Sequence, residues 1–158
     1  MYETDNIDRQ IIDCLMQDGR IPAAVIARRV GGITERVVRY RINRMIAAGI
    51  FQIRPIVNPQ MFNLTTRADV FLEVETDFIQ KVARTVAEFE NVTYVACSIG
   101  NTDVSFQLVA KDTGEIYRFV TEVIGKIPGV RKTTTSIVPI VLKDVYQWRV
   151  PRSFDSVD

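Results

Sequence analysis

The spacing of hydrophobic residues changes partway along the chain. Near the N-terminus, in NIDRQIIDCLMQDGR, Ile7, Ile11 and Leu15 recur every fourth residue with Ile12 beside them, the stripe of an amphipathic helix. Asp5 or Asn6 can cap its start, and DGR closes it. Pro22 suits the first turn of a short second helix, PAAVIARRV. There Val25, Ile26 and Val30 face inward, and Gly31 and Gly32 end the element. A third helix begins near Thr34, a residue suited to an N-cap, and stops at Gly49. Its Val38, Ile42, Met45 and Ile46 follow the i, i+4, i+7, i+8 rule of a buried face. Two helices joined by a short glycine-containing turn, the second rich in arginine, make the pattern of a helix-turn-helix.

After Gly49 the segment IFQIRPIVNP alternates apolar and polar residues and then meets Pro55 and Pro59. It predicts an extended arm, strand-like at first and then a linker. Beyond it the period becomes two. ADVFLEVE places Val70, Leu72 and Val74 on one face and Asp69, Phe71, Glu73 and Glu75 on the other, as in a half-buried strand. A helix follows with Phe78, Val82, Val86 and Phe89 on its inner side. TYVACSIG and DVSFQLVA read as two strands joined by a tight turn at Gly100 to Thr102. A further helix carries Ile116, Val120, Val123, Ile124 and Ile127 on one stripe, and IPGV ends it. The last strand is expected from near Lys132 past Pro139 towards Trp148.

The order β-α-β-β-α-β is the ferredoxin-like arrangement, an antiparallel sheet with both helices on one face. The fold class is therefore α+β: an N-terminal helix-turn-helix domain, winged if the arm pairs, then a ferredoxin-like βαββαβ domain. The expected boundaries are 1–50 for the first domain, 51–66 for the arm, 67–148 for the second domain and 149–158 for a tail. Phe71 on the outer sheet face and the apolar IVPIVL run favour a covering partner, hence an oligomer.

Composition adds what the pattern leaves out. With 158 residues, 47% hydrophobic and 25% charged, the chain suffices for one ordinary domain or two small ones sharing contacts. The net charge of +1 hides an asymmetry: residues 1–60 hold nine Lys/Arg against six Asp/Glu, and residues 61–158 hold eleven against thirteen. Four of those arginines, Arg36, Arg39, Arg41 and Arg44, fall within nine residues of the third helix. The sequence contains no histidine. With no cysteine cluster either, the usual zinc sites, His-based acid/base catalysis and Ser/His or Cys/His nucleophiles are removed, and no P-loop or GxGxxG cradles a phosphate. The expectation is a protein that binds rather than catalyses, with no catalytic residue, metal or cofactor. The start MYETDNIDRQ lacks the character of a secretory signal, and no apolar run approaches a membrane span, so a cytoplasmic protein is expected. Cys14 and Cys97 are expected to be unpaired core residues.

Four segments together carry a resemblance. IDRQIIDCLMQDGR and VVRYRINRMIAAGIF are similar to the helix-turn-helix of the leucine-responsive regulator/AsnC (Lrp/AsnC, "feast/famine") transcription regulators, which ends in Arg-Ile-x-x-Leu-x-x-x-Gly-x-Ile. CSIGNTDVSFQLVA resembles the family's Gly-x-x-Asp turn before an alternating strand, and IPGVRKTTTSIV its Pro-Gly-Val followed by Thr-x-Thr-x-x-Val. The four occur in the family's order, each on the expected element. The resemblance implies a homo-oligomer, from a dimer up to a tetramer or octamer, that binds double-stranded DNA through its first domain. It also implies that the second domain assembles the oligomer and binds an amino acid or related metabolite.

The arginines are read on that footing. The apolar set of the third helix defines its buried side, and Arg36, Tyr40, Asn43 and Arg44 fall on the outer arc while Arg39 and Arg41 flank the seam. A recognition helix reads the major groove mainly through its N-terminal part, so Thr34, Glu35, Arg36, Val37 and Tyr40 are the base-edge candidates. Arg44 suits a phosphate, Arg39 suits either, and Arg41 suits a tie to a neighbouring carboxylate or carbonyl. Arg28 and Arg29 fit the DNA backbone and a polar helix end equally well. For the effector, the candidates are Gly100, Asn101, Thr102 and Asp103 at the turn, with Thr133 and Thr135 on the last strand. A turn can offer amide N–H groups to a carboxylate, and an Asp can pair an ammonium. The same residues also make a good turn and good strand positions. Two other readings remain open: a tetrapyrrole-pathway decarboxylase-like enzyme of the same fold, against which the lack of histidine counts, and a helix-turn-helix module for protein partners.

Overall fold

The first helix, α1, spans Asn6–Gln17 and starts where the sequence offers two acceptors three residues apart. The Asp5 carboxylate accepts from the Asp8 amide at 2.8 Å, and the Asp8 carboxylate accepts from the Asp5 amide at 3.2 Å. This reciprocal capping box satisfies two of the otherwise orphaned donors. The computed structural model describes residues 2–148 and 150, so the expected 149–158 tail lies, apart from Val150, outside the described residues. The chain forms two units, one running from the N-terminus through Ile56 and including residues 144–148, the other Val57–Lys143.

In the first unit, α2 (Ala23–Val30) ends at Gly31, and α3 (Glu35–Ala47) starts at Thr34, whose hydroxyl accepts from the Val37 amide at 3.3 Å. After α3, the Ile50 amide donates to the Met45 carbonyl and the Gly49 amide to that of Ile46. This is the Schellman pattern, and Gly49 takes the left-handed φ of 73° it requires. Ile11, Cys14, Ala23, Ile26, Val38 and Met45 form the core. Ile46, expected inside, is 40% exposed; it lies about 80° around the helix from Val38, at the rim of the stripe that Ile42 and Met45 centre. The arm differs too: residues 51–58 form no strand. Among the described residues no strand of this unit stands beside them to pair with, and a lone strand has no ladder to stabilise it.

The second unit is a four-stranded antiparallel sheet in the order β2-β3-β1-β4, made of β1 (Thr66–Val74), β2 (Val92–Cys97), β3 (Val104–Ala110) and β4 (Val130–Val138). Helix α4 (Ile79–Ala87) joins β1 to β2, and α5 (Thr113–Arg118) follows β3. In register, Val70 lies between Phe106 and Thr135, and Leu72 between Val104 and Thr133. Ala68, Val70, Leu72 and Val74 meet Val82 and Val86 of α4 and Ile116 of α5 in one core. That is the inner face the alternation predicts.

Three expectations change here. A wider π turn, Phe119–Val123, and a 3-10 turn, Ile124–Lys126, continue α5. Ile116, Val120 and Ile124 keep the inward stripe and Val123 turns outward. The last strand stops at Val138, one residue before Pro139, which has no N–H to donate. Ile140 and Leu142 beyond it are exposed, not strand residues. Cys14 is buried as expected, but Cys97, the last residue of the outermost strand β2, is exposed; both are free thiols.

Candidate nucleic-acid interface

All seven residues proposed from sequence to read DNA, Thr34, Glu35, Arg36, Val37, Arg39, Tyr40 and Arg44, are exposed on α3 or at its cap. Local chemistry divides them. Arg39 donates through Nε and Nη2 to Glu35 Oε1, at 2.9 and 2.6 Å, one helical turn away. This is a solvated i, i+4 pair. The Arg44 guanidinium carbon stands 5.1 Å from the centroid of the Tyr2 ring and 5.6 Å from that of Tyr40, so two aromatic faces hold it by cation–π attraction. Arg28 and Arg29 are exposed in the last turn of α2.

Arg41 is committed elsewhere. Its Nη1 donates to Asp5 Oδ2 at 2.8 Å and to Asp8 Oδ1 at 2.9 Å. Of the two alternatives left by sequence, a carboxylate or a carbonyl, the partners are carboxylates. Asp8 is 1% exposed, and besides Arg41 and the Asp5 amide it accepts from the Tyr2 hydroxyl at 2.9 Å. Electrostatics follow from these contacts. The hydrogen bond to Asp8, then that to Asp5, raises the Arg41 pKa above its ordinary value. The Asp8 amide, then Arg41, hold the Asp5 carboxyl below its ordinary 3.8. Burial first and the bond to Asp8 second push the Tyr2 hydroxyl above 10.0.

Sequence reasoning missed Tyr2 and Asp8. An acid in the first turn of a helix reads as a solvated complement to the helix dipole. The signal that was present is the Asp-x-x-Asp spacing, in which the second acid reaches back to the cap.

In the second unit, the Ser98 amide donates to the Asp103 carbonyl at 2.9 Å, and the Ser98 hydroxyl to the Thr102 carbonyl at 3.0 Å. The turn between them therefore closes on itself. Gly100 has a φ of 149°, and Gly100 and Asn101 are exposed. Asp103 is the structural member: its Oδ2 accepts from the Val74 amide at 2.7 Å. Thr133 and Thr135 pair with Leu72 and Val70 on the other side of β1. Turn and threonines thus occupy the two flanks of the central strand rather than one cluster, about 10 Å apart by strand spacing.

Among the described residues there is no group of three or more His, Cys, Asp or Glu placed to hold a metal ion, and no helix is long and apolar enough to cross a membrane.

Comparison with known proteins agrees across both units. Residues 5–46 match the AsnC-type helix-turn-helix domain, and residues 68–147 match the Lrp/AsnC ligand binding domain. An HTH-type transcriptional regulator of Pyrococcus horikoshii is 32% identical over 153 residues, spanning 96% of this chain and 94% of its own. Another, from Pyrococcus abyssi, is 31% identical over 135 residues, with 85% and 88% covered. In fold, the chain is similar to Escherichia coli AsnC, with a TM-score of 0.82 at 19% identity over 92% of this chain and 99% of that one. It is also similar to a Neisseria meningitidis transcriptional regulator solved as an L-Met complex, with a TM-score of 0.83 at 23% identity over 90% and 94%. With a helix-turn-helix and a ligand binding domain matched in order along one chain, this protein belongs to the Lrp/AsnC family of HTH-type transcription regulators.

Proposed function

We propose that the chain regulates transcription by binding double-stranded DNA at specific sequences through α3. The carrying observation is the contrast along one helix. Thr34, Arg36, Val37 and Tyr40 are exposed on its N-terminal part, while Arg41 is drawn off the surface by two carboxylates. Thr34, Glu35, Arg36, Val37 and Tyr40 are then the base-edge contacts. Arg44 meets a phosphate, and Arg39 serves whichever partner its pairing with Glu35 leaves within reach.

The second domain is proposed to assemble a homo-oligomer, so that paired recognition helices meet a pseudo-palindromic site. On the sheet face away from α4 and α5 it exposes Phe71 and Tyr94, apolar area that a second copy would cover. For the effector, an amino acid or related metabolite is the proposed class, with Gly100, Asn101, Thr102, Asp103, Thr133 and Thr135 as contacts. The Neisseria meningitidis relative's L-Met complex supports that class. An effector of unequal affinity for different assemblies would shift DNA binding. The reading is one of regulation without catalysis, in the cytoplasm.

The test is selection of binding sites from random duplex DNA with and without pooled amino acids. An enriched pseudo-palindrome is expected, altered by the pool. No enrichment, with weak binding at low salt only, would overturn the DNA reading. Enrichment that ignores the pool would overturn the effector alone.

A further inference from the structure

Given that α3 reads DNA, as proposed above, we infer that the N-terminal strap from Tyr2 to Asp5 and the buried carboxylate of Asp8 are positioning elements of that helix. They set its seat and the place of Arg44, and so set sequence preference without themselves touching DNA.

Asp8 is a buried carboxylate. A carboxylate in the interior is costly unless its oxygens are satisfied. Here the Tyr2 hydroxyl, the Asp5 amide and Arg41 Nη1 all donate to it, at 2.9, 3.2 and 2.9 Å. The donors come from three places: the strap, the cap of α1 and the middle of α3. Replacing such a buried ion pair by apolar residues is often neutral or stabilising, so net stability is a poor account of its presence. Geometry is a better one. Charge-assisted hydrogen bonds are directional, and here they converge on one carboxylate that fixes both the rotation and the axial position of α3 against α1.

Tyr2 extends the same control to the DNA-facing side. Its hydroxyl is bound to Asp8, while its ring lies under the Arg44 guanidinium, which Tyr40 flanks as well. A guanidinium stacked on aromatic faces keeps its N–H edges available to a phosphate. It also has less rotamer freedom to lose on binding. Sliding or rotating α3 would break the Arg41 bonds and the Tyr2–Arg44 stack together.

The test uses the full chain, the site enriched for the wild type and a scrambled duplex of the same length. Asp8→Asn removes a negative charge from a DNA-binding module, which by charge alone should tighten binding to any duplex. The expected result is the opposite on the enriched site: about tenfold weaker binding or more, with the scrambled duplex bound as well as before or better. Tyr2→Phe keeps the ring over Arg44 and loses one donor, so it should lose preference with little change on the scrambled duplex, whereas Tyr2→Leu, which also frees Arg44, should weaken binding to both duplexes. Tyr2→Phe also carries the test should Asp8→Asn fail to fold.

A merely structural role would lower the melting temperature but leave the ratio of specific to non-specific affinity unchanged among folded molecules; that result would overturn the inference. Should the wild type select no site at all, the DNA reading fails instead. Hydrogen exchange then decides the positioning role: Tyr2→Phe is expected to lower protection of the α3 amides relative to those of α2, and unchanged protection overturns it.

Discussion

The carboxylate of Asp103 and the amide of Val74 meet at 2.7 Å, at the point where β1 runs out of partners on β3. The Asp103 amide in turn donates to the Leu72 carbonyl at 2.9 Å. One residue thus closes the ladder with both its backbone and its side chain, and the β2–β3 turn is held against the central strand. Asp103→Ala leaves the Val74 amide without its acceptor and should cost the second unit about 1–3 kcal/mol. Asp103→Asn keeps an acceptor oxygen and should recover most of that loss. Urea denaturation monitored by circular dichroism would resolve the two.

Gly129 ends the run before β4 with a φ of 95°, and a Cβ placed there would stand 2.4 Å from the Phe78 Cβ. Its carbonyl accepts from the Glu75 amide at 2.8 Å, so the backbone cannot easily retreat. Gly129→Ala combines an unfavourable φ with an overlap and should destabilise by about 2 kcal/mol or more. Adding Phe78→Gly, which takes away the Cβ as well as the ring, removes the overlap but not the φ. The double variant should therefore be less destabilised than the two separate losses added together, a coupling that thermal unfolding can measure.

How far the sequence was legible depends on whether a residue's partner is local. Ile7, Ile11, Val70, Leu72, Val82 and Val86 announce their faces through spacing alone, because period and burial are the same geometric fact. Thr34 announces its cap because the acceptor and the donor are three residues apart. Asp8 does not announce its burial, since Arg41 lies 33 residues away and Tyr2 belongs to a strap with no period. Val123 and Ile46 misled because a stripe has a rim, and residues at the rim turn outward when the helix changes its winding or its neighbours claim the centre. Pro139 marked the end of the last strand; the apolar residues beyond it suggested continuation, but apolarity does not supply the missing N–H. The Tyr2–Arg44–Tyr40 stack depends on the path of the strap, which no periodicity encodes.

Acid should weaken the N-terminal unit through Asp5. Its folded pKa is depressed below 3.8 by the Asp8 amide and Arg41, so its stabilising share is present above that value and is lost as pH falls through the folded pKa. Tyr2 has the opposite sense: its pKa is raised above 10.0, so its share is present below pH 10 and is lost as pH rises through the folded value. Melting temperatures should fall at both ends. In Asp5→Asn the acid limb should be shallower, and in Tyr2→Phe the alkaline limb should be.

The outer sheet face offers a separate test of assembly. Phe71 is 37% exposed, and its cross-strand neighbours on that face, Ser105 and Thr134, are small and polar. Phe71→Glu leaves the inner core untouched and should dissociate an oligomer that buries this face, as read by light scattering. A mass unchanged from the wild-type oligomer would place the contact elsewhere.

Arg36 and Arg44 should fail in different ways. Both are exposed cations on α3, but Arg36 lies in its first turn and Arg44 in its last. A residue contacting a phosphate contributes one released counterion, so Arg44→Ala should weaken binding to every duplex by a similar factor and lower the salt slope by about 0.9. A residue reading a base edge contributes discrimination. Arg36→Ala should cost about 1–3 kcal/mol on the enriched site, flatten preference at one position and leave the scrambled duplex less affected. Fluorescence anisotropy across a salt series, on both duplexes, separates these outcomes. An unselective loss with a reduced slope for Arg36→Ala would move it to the phosphate role and leave Val37 and Tyr40 as the readers. A change in preferred sequence for Arg44→Ala, with the slope intact, would mean that the aromatic bracket presents its guanidinium to a base.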